Sequence, residues 1–189
     1  SLKIKKSGWD LIKERVLDVD LCCGCGACEG TCPVDAISID SKTSHLPEIS
    51  IDDCIHCTLC YEVCPGDGYS ILNNKTDKKN FQSILGSELD HALGFSTNFD
   101  QRLNGASGGL TTALVQYCIN SGIADEALVV LFENDTPQVV LTNNLDVIAS
   151  ARGSVYTPVP LMTVIHELRT NPRKIVIVGT GCHIAAWDM

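Results

Sequence analysis

The chain has 189 residues, with 14 Lys+Arg against 23 Asp+Glu and a formal net charge of -9. That length suits one medium domain or two small ones, and 44% hydrophobic residues are enough for a core. The acidic balance argues against a nucleic-acid binder, which needs a basic patch, and would suit a partner with a basic docking face.

There are 11 cysteines, and nine of them fall within residues 22–64. The start SLKIKKSGWDLIKERV carries positive charge but no apolar h-region, and no apolar run is long enough to span a membrane. A cytoplasmic chain without a membrane span is therefore expected. In that compartment dense cysteines point to metal rather than to disulfides.

In chain order, residues 1–16 form a lead segment in which residues 9–16 read as a short amphipathic helix, with Asp10 near its start. A cysteine-rich domain is expected over 17–66. Inside it AISID (36–40) and PEISID (47–52) alternate as half-buried strands do. Residues 67–86 read as a linker containing the polar LNNKTDKKNFQ. From 87 to 189 cysteines almost vanish and β-branched residues rise.

Residues 105–122 become helical, with Leu110, Leu114, Tyr117 and Cys118 on one face and a stop at Asn120-Ser121-Gly122. EALVVLF (126–132), QVVLT (138–142) and KIVIVG (174–179) read as buried strands. LDVIASAR and LMTVIHELR (161–169) read as helices, the second ended by Asn171-Pro172. HALGFS and VIHEL place His91 and His166 on apolar helical faces, in core or surface roles. The fold class expected is α+β: a ferredoxin-like two-cluster domain followed by an α/β domain. The final strand feeds a new helix at the chain end, so the α/β domain is expected to lack its C-terminal part.

The one internal repeat carries the strongest chemical signal. Cys22-x2-Cys25-x2-Cys28-x3-Cys32-Pro33 is echoed by Cys54-x2-Cys57-x2-Cys60-x3-Cys64-Pro65. Each half has the spacing of a bacterial [4Fe-4S] ligand run, in which three thiols wrap one cluster and the fourth crosses to the other. Cluster one is thus assigned Cys22, Cys25, Cys28 and Cys64, and cluster two Cys54, Cys57, Cys60 and Cys32. Gly24 and Gly26 leave room for the loop and free N–H groups for sulfur. Cys23 falls out of register and is expected to be a packed, unliganded thiol. Paired zinc sites are the alternative, but they favour two CxxC pairs or a Cys/His mixture. His56, between two ligands, is expected to point outward, and Asp52-Asp53 to form a solvated turn.

Three later segments carry weaker signals. Gly105, Gly108 and Gly109 in LNGASGGLTTAL open a helix; such a turn presents N–H groups to a phosphate, or is simply a turn. Ser107 caps the helix or bonds a ligand. ARGSVYTP (151–158) follows. In VGTGCHIAAW, Cys182 at a helix start is either a reactive thiol or a small residue in a tight turn.

NGASGGLTTAL, ARGSVYTP and VGTGCHI, in this order behind a two-cluster block, resemble the family of beta subunits of coenzyme F420-reducing hydrogenase and F420H2 dehydrogenase over residues 16–189. The resemblance implies an FAD-containing iron–sulfur oxidoreductase. It implies FAD contacts at Ser107, Gly108, Gly109, Thr111 and Thr112. It also implies flavin-site roles for Gly153, Ser154 and Tyr156, and for Gly179, Thr180, Cys182 and His183. A flavin takes two electrons as hydride from F420, or another hydride carrier, and releases them singly to the clusters. With the sheet incomplete, the fragment is expected either to keep FAD or to lose it. No individual catalytic residue follows.

The sequence departs from the family's pattern in three places. Ser107 stands where Asp is frequent, Val155 replaces the Lys of a Gly-Ser-Lys-Tyr motif, and Gly-Thr-Gly-Cys-His replaces Gly-Thr-Pro-Cys-Gln. The lost lysine bears on binding an anionic F420 tail or flavin phosphate. Two alternatives therefore stay open: an electron-transfer subunit of a larger redox complex with no substrate of its own, and a family reductase that spends ferredoxin electrons on another organic substrate.

Overall fold

The structure is a computed structural model that describes residues 6–40, 42, 44–67 and 90–188. The expected polar segment 72–82 and most of the expected linker lie outside these residues.

The described chain mixes helix and sheet. The first helix, α1 (Gly8–Ile12), starts at a capping box: Ser7 Oγ accepts from the Asp10 N–H, and the Asp10 carboxylate accepts from the Ser7 N–H. It continues as a π turn, Lys13–Leu17. Ile12 and Val16 are fully buried, so the amphipathic reading of residues 9–16 holds. Next come α2 (Ala27–Thr31), the strands β1 (Ile37–Ser38) and β2 (Glu48–Ile49), and α3 (Leu59–Glu62). β1 and β2 pair antiparallel, Ile37 opposite Ile49, inside the two stretches where alternation predicts strands.

Downstream lie α4 (Phe99–Asn104), α5 (Leu110–Asn120), β3 (Glu126–Glu133), β4 (Thr136–Thr142), α6 (Leu145–Ser150), α7 (Val164–Thr170), β5 (Ile175–Ile177) and α8 (Gly181–Asp188). β3 is the centre of a three-stranded sheet, antiparallel to β4 and parallel to β5. The β3–β4 hairpin turns on Asn134 and Asp135, both with positive φ (50° and 61°), a conformation these side chains tolerate and a two-residue hairpin requires. The sheet is therefore mixed.

Three local expectations are corrected. On α5 it is Val115 that is buried, with Ile119 packed nearby, while Leu114 and Tyr117 are more than half exposed. Apolar residues surround this helix, so periodicity does not single out one face. The HALGFS stretch around His91 has no regular secondary structure. Ser107 does not cap α5; Gly109 holds that position at φ +70°, where an added Cβ would sit 2.4 Å from the Gln101 carbonyl oxygen. α4, capped by Asn98 through the Gln101 N–H, has no counterpart in the sequence reading.

The largest core cluster joins the two halves of the chain. Cys25 and Ala27 from the cysteine block pack with Leu128, Leu161, Met162, Val164 and Ala186. The Met162 N–H donates to the Cys25 carbonyl at 2.8 Å. A second cluster gathers Ile12, Cys32, Ala36, Ile37 and Cys60 beneath α1.

Candidate functional site

The eight thiols of the repeat fall into two cages. Cys22, Cys25, Cys28 and Cys64 line one small cavity. Cys32, Cys54, Cys57 and Cys60 line another. Each cage thus takes three thiols from one run and one from the other, the crossed pattern that the spacing predicts. Among the described residues no group of three or more His, Cys, Asp or Glu side chains is arranged to hold a metal ion. Four thiols spread around a cavity are a donor set for an iron–sulfur cube, which spans several ångströms.

The backbone shapes the cages. Gly24 and Gly26 have φ +65° and +85°, which lets the loop reverse between ligands. Backbone N–H groups point at sulfur: Ala36 N to Cys32 Sγ at 3.3 Å and His56 N to Cys54 Sγ at 3.4 Å. The Gly24 N–H likewise approaches Cys22, and the Gly66 N–H approaches Cys64. Such bonds stabilise thiolate charge and tune cluster potential. Burial pushes the Cys22, Cys28 and Cys64 thiols up, and Cys60 to about 11. Cys25 is raised first by its hydrogen bond with Cys23 and then by burial. Thiols so shielded from water are poor anions on their own and need a metal's charge to deprotonate. His56 is exposed at φ +54°, and Asp52 and Asp53 lie in an exposed turn, as expected.

The second site is a cavity of about 630 Å³. Three separate segments form it. Ser107 and Gly109 come from the turn into α5 and Thr111 and Thr112 from its first turn; Gly153 and Ser154 from the loop after α6; Gly179 and Thr180 from the turn between β5 and α8, and Cys182 and His183 from the first turn of α8. Its apolar wall includes Val115, Leu128, Ile148 and Leu161. The volume and the mixture of apolar wall with small polar groups fit a cofactor site. Two expected residues do not line it: Gly108 packs toward Phe95, and Tyr156 is 94% exposed.

At the turn into α8 the polar groups form a chain. The Cys182 thiol lies 3.0 Å from Thr180 Oγ1, which lies 3.1 Å from His183 Nδ1. Nδ1 accepts the Thr180 N–H at 3.2 Å, so the ring carries its proton on Nε2, which donates to the Val159 carbonyl at 3.2 Å. Burial lowers the His183 pKa and keeps the ring neutral.

Two lining residues escape the sequence reading. Arg152 is the sole Lys, Arg, Asp or Glu in the lining, and it pairs with Asp100 of α4 at 2.7 Å. Its place beside Gly153 was the available signal. Cys23, expected to be packed, is exposed and lines both the large cavity and the cage of Cys22, Cys25, Cys28 and Cys64. No local pattern reveals that, because the partner surface comes from residues more than 80 positions away.

Two family matches lie along the chain. Residues 15–73 match the family described as 4Fe-4S dicluster domain, and residues 92–166 the family described as coenzyme F420 hydrogenase/dehydrogenase, beta subunit N-term. One F(420)H(2) dehydrogenase subunit of Methanosarcina mazei is 27% identical over 174 residues, covering 91% of this chain and 49% of that protein. An uncharacterized protein of Methanocaldococcus jannaschii is 30% identical over 82 residues, 43% of this chain and 31% of that protein. The chain thus spans half or less of the length of these curated relatives. The dicluster match precedes the beta-subunit match and one relative is similar along almost all of the chain, findings that support the family of coenzyme F420 hydrogenase/dehydrogenase beta subunits with an iron–sulfur dicluster domain.

Proposed function

We propose that this chain passes electrons between a hydride carrier, coenzyme F420 by family, and one-electron acceptors, through FAD in the large cavity and two [4Fe-4S] clusters in the thiol cages. One observation carries the reading: Cys23 belongs to the wall of both the large cavity and the first cage, so the hydride site and the first cluster are neighbours. In this reading residues 17–66 are the two-cluster domain and residues 87–189 belong to the flavin domain.

The donor sets fit their groups. Cys22, Cys25, Cys28 and Cys64 hold the first cluster, and Cys32, Cys54, Cys57 and Cys60 the second. The glycine and hydroxyl groups of residues 107–112, with Arg152 at the rim, suit a phosphate-bearing cofactor, and the Val115–Leu128–Ile148 wall suits a flat apolar ring. FAD, when bound, supplies the conversion between hydride and single electrons. The protein excludes water through that wall, and His183 orders the turn carrying Thr180 and Cys182.

The test is an anoxic titration of flavin- and iron-reconstituted protein, in its full-length form, with reduced F420, following flavin and cluster absorbance. Bleaching of both is expected. A bound flavin that stays oxidised overturns F420 as donor. Val155, in the cavity lining where the family pattern has lysine, favours a second reading: a related reductase or complex component that takes electrons from another source. The relative named as one subunit of an F(420)H(2) dehydrogenase supports work within a larger assembly.

A further inference from the structure

Arg152 follows α6 and is the one Lys, Arg, Asp or Glu side chain in the wall of the large cavity. Its Nη1 donates to Asp100 Oδ2 at 2.7 Å, and the other carboxylate oxygen, Oδ1, accepts from Asn104 Nδ2 at 2.8 Å. Asp100 is therefore held at both oxygens, although it is mostly exposed. The helix that carries it, α4, is tied to two walls of the cavity. The Ser96 hydroxyl donates to Gln101 Oε1 at 2.8 Å, Gln101 Nε2 donates to Gln116 of α5, and Gln116 Nε2 donates to the Leu145 carbonyl of α6 at 2.9 Å. Among the described residues, Nε and Nη2 of Arg152 have no protein partner. The neighbouring arginine of α4, Arg102, stacks on Phe95 at 3.8 Å and lies outside the lining, and Val155 brings no charge to it. A lone guanidinium beside an apolar wall selects an anion. Its parallel N–H groups match two oxygens of one phosphate, and the wall limits competition from water.

We propose that Arg152 selects a phosphate-bearing occupant for the large cavity, binding one phosphate through Nε and Nη2, and that Asp100 is a positioning residue that holds the guanidinium by its third nitrogen. The inference rests on the reading of this cavity as a flavin site, and it names the part of the flavin cofactor that the chain recognises by charge. Asp100 leaves a two-nitrogen edge of Arg152 free, so its role is orientation rather than competition with the phosphate. An exposed ion pair adds little to stability, so loss of Asp100 acts on ligand binding and not on folding.

The experiment uses the full-length, iron-reconstituted, flavin-free protein under anoxic conditions. Dissociation constants for FAD, FMN and riboflavin, which has no phosphate, are measured by flavin fluorescence at fixed salt. Arg152→Gln is expected to weaken FAD and FMN by about tenfold or more, the scale of a hydrogen bond to a charged group, and to leave riboflavin unchanged. Arg152→Lys, which keeps the charge but not the planar fork, falls between. Asp100→Asn weakens FAD and FMN by less, and has no further effect in the Arg152→Gln background. Iron content and melting midpoint stay at the wild-type values. Equal weakening of all three flavins, or FAD binding that is indifferent to Arg152→Gln, overturns the selector. An Asp100→Asn effect that persists without Arg152 overturns the positioning role. If the wild type binds none of the three, the flavin reading fails by itself, and calorimetry with inorganic pyrophosphate decides the anion site. Pyrophosphate binding that Arg152→Gln abolishes then sustains the inference, and no binding to the wild type overturns it.

Discussion

The Met162 N–H donates to the Cys25 carbonyl at 2.8 Å, and that bond marks where the cysteine block meets the rest of the fold. Close by, Gly30 of α2 faces the Met162 carbonyl so tightly that an added Cβ would lie 2.3 Å from the oxygen. Both partners are backbone, so neither can swing aside. Gly30→Ala is expected to cost about 1–3 kcal/mol through overpacking. Thermal unfolding of the iron-loaded protein checks it, and an unchanged midpoint would show that the two blocks are not held this closely.

Met162 itself is fully buried in the core that the two blocks share. Met162→Ala removes most of that side chain and is expected to destabilise by about 2–5 kcal/mol. Because Leu128 of β3 and Ala27 of α2 belong to the same cluster, the loss should be seen by iron release as well as by circular dichroism. Two well-separated transitions, with only one shifted, would mean that the cysteine block folds independently.

The crossed cages make a prediction that a simple count of ligands does not. Cys64 stands with Cys22, and Cys32 with Cys54. Pairing Cys22→Ser with Cys64→Ser should therefore lose no more iron than either change alone, about half the total. Pairing Cys54→Ser with Cys64→Ser should lose both clusters. Iron analysis after anoxic reconstitution decides it. If the Cys22/Cys64 double variant loses all its iron while Cys54/Cys64 retains half, the crossing is wrong.

Much of this architecture is legible along the chain, because the signals are local. The cysteine spacing predicts two sets of four thiols, and each set lines one small cavity, the first together with Cys23. Runs such as EALVVLF and KIVIVG are found as β3 and β5 because β-branched stretches need little context. What the sequence hides is what depends on distant partners. The face of α5 is set by Ile148 and Ala127 packing on Val115, not by its own periodicity. The mixed sheet hangs on the Asn134-Asp135 turn, a two-residue signal between strands. Cys23 and Arg152 are seen to line the large cavity only once segments far apart in the chain supply the rest of its wall.

His183 offers a pH test of the turn that carries Cys182. Its ring is neutral, accepting the Thr180 N–H at Nδ1 and donating from Nε2 to the Val159 carbonyl. A second proton would have to sit on Nδ1, facing an N–H donor, and burial also disfavours the charge; its pKa is held below the ordinary 6.5. The folded state therefore binds this proton more weakly than the unfolded state does. Above pH 6.5 both are neutral and the contribution is complete. As pH falls through that value the unfolded chain takes up the proton first, and stability declines until the pH is below the folded pKa. Melting midpoints of wild type and His183→Gln at about pH 8 and about pH 5.5 measure this contribution, since Gln hydrogen-bonds but does not titrate in that range. The advantage of wild type is expected to shrink at the lower pH, with iron content followed at both values to separate acid loss of the clusters. An advantage that is the same at both would mean that the ring takes its proton without disturbing Thr180, and that the polar chain from Cys182 is not held by a neutral imidazole.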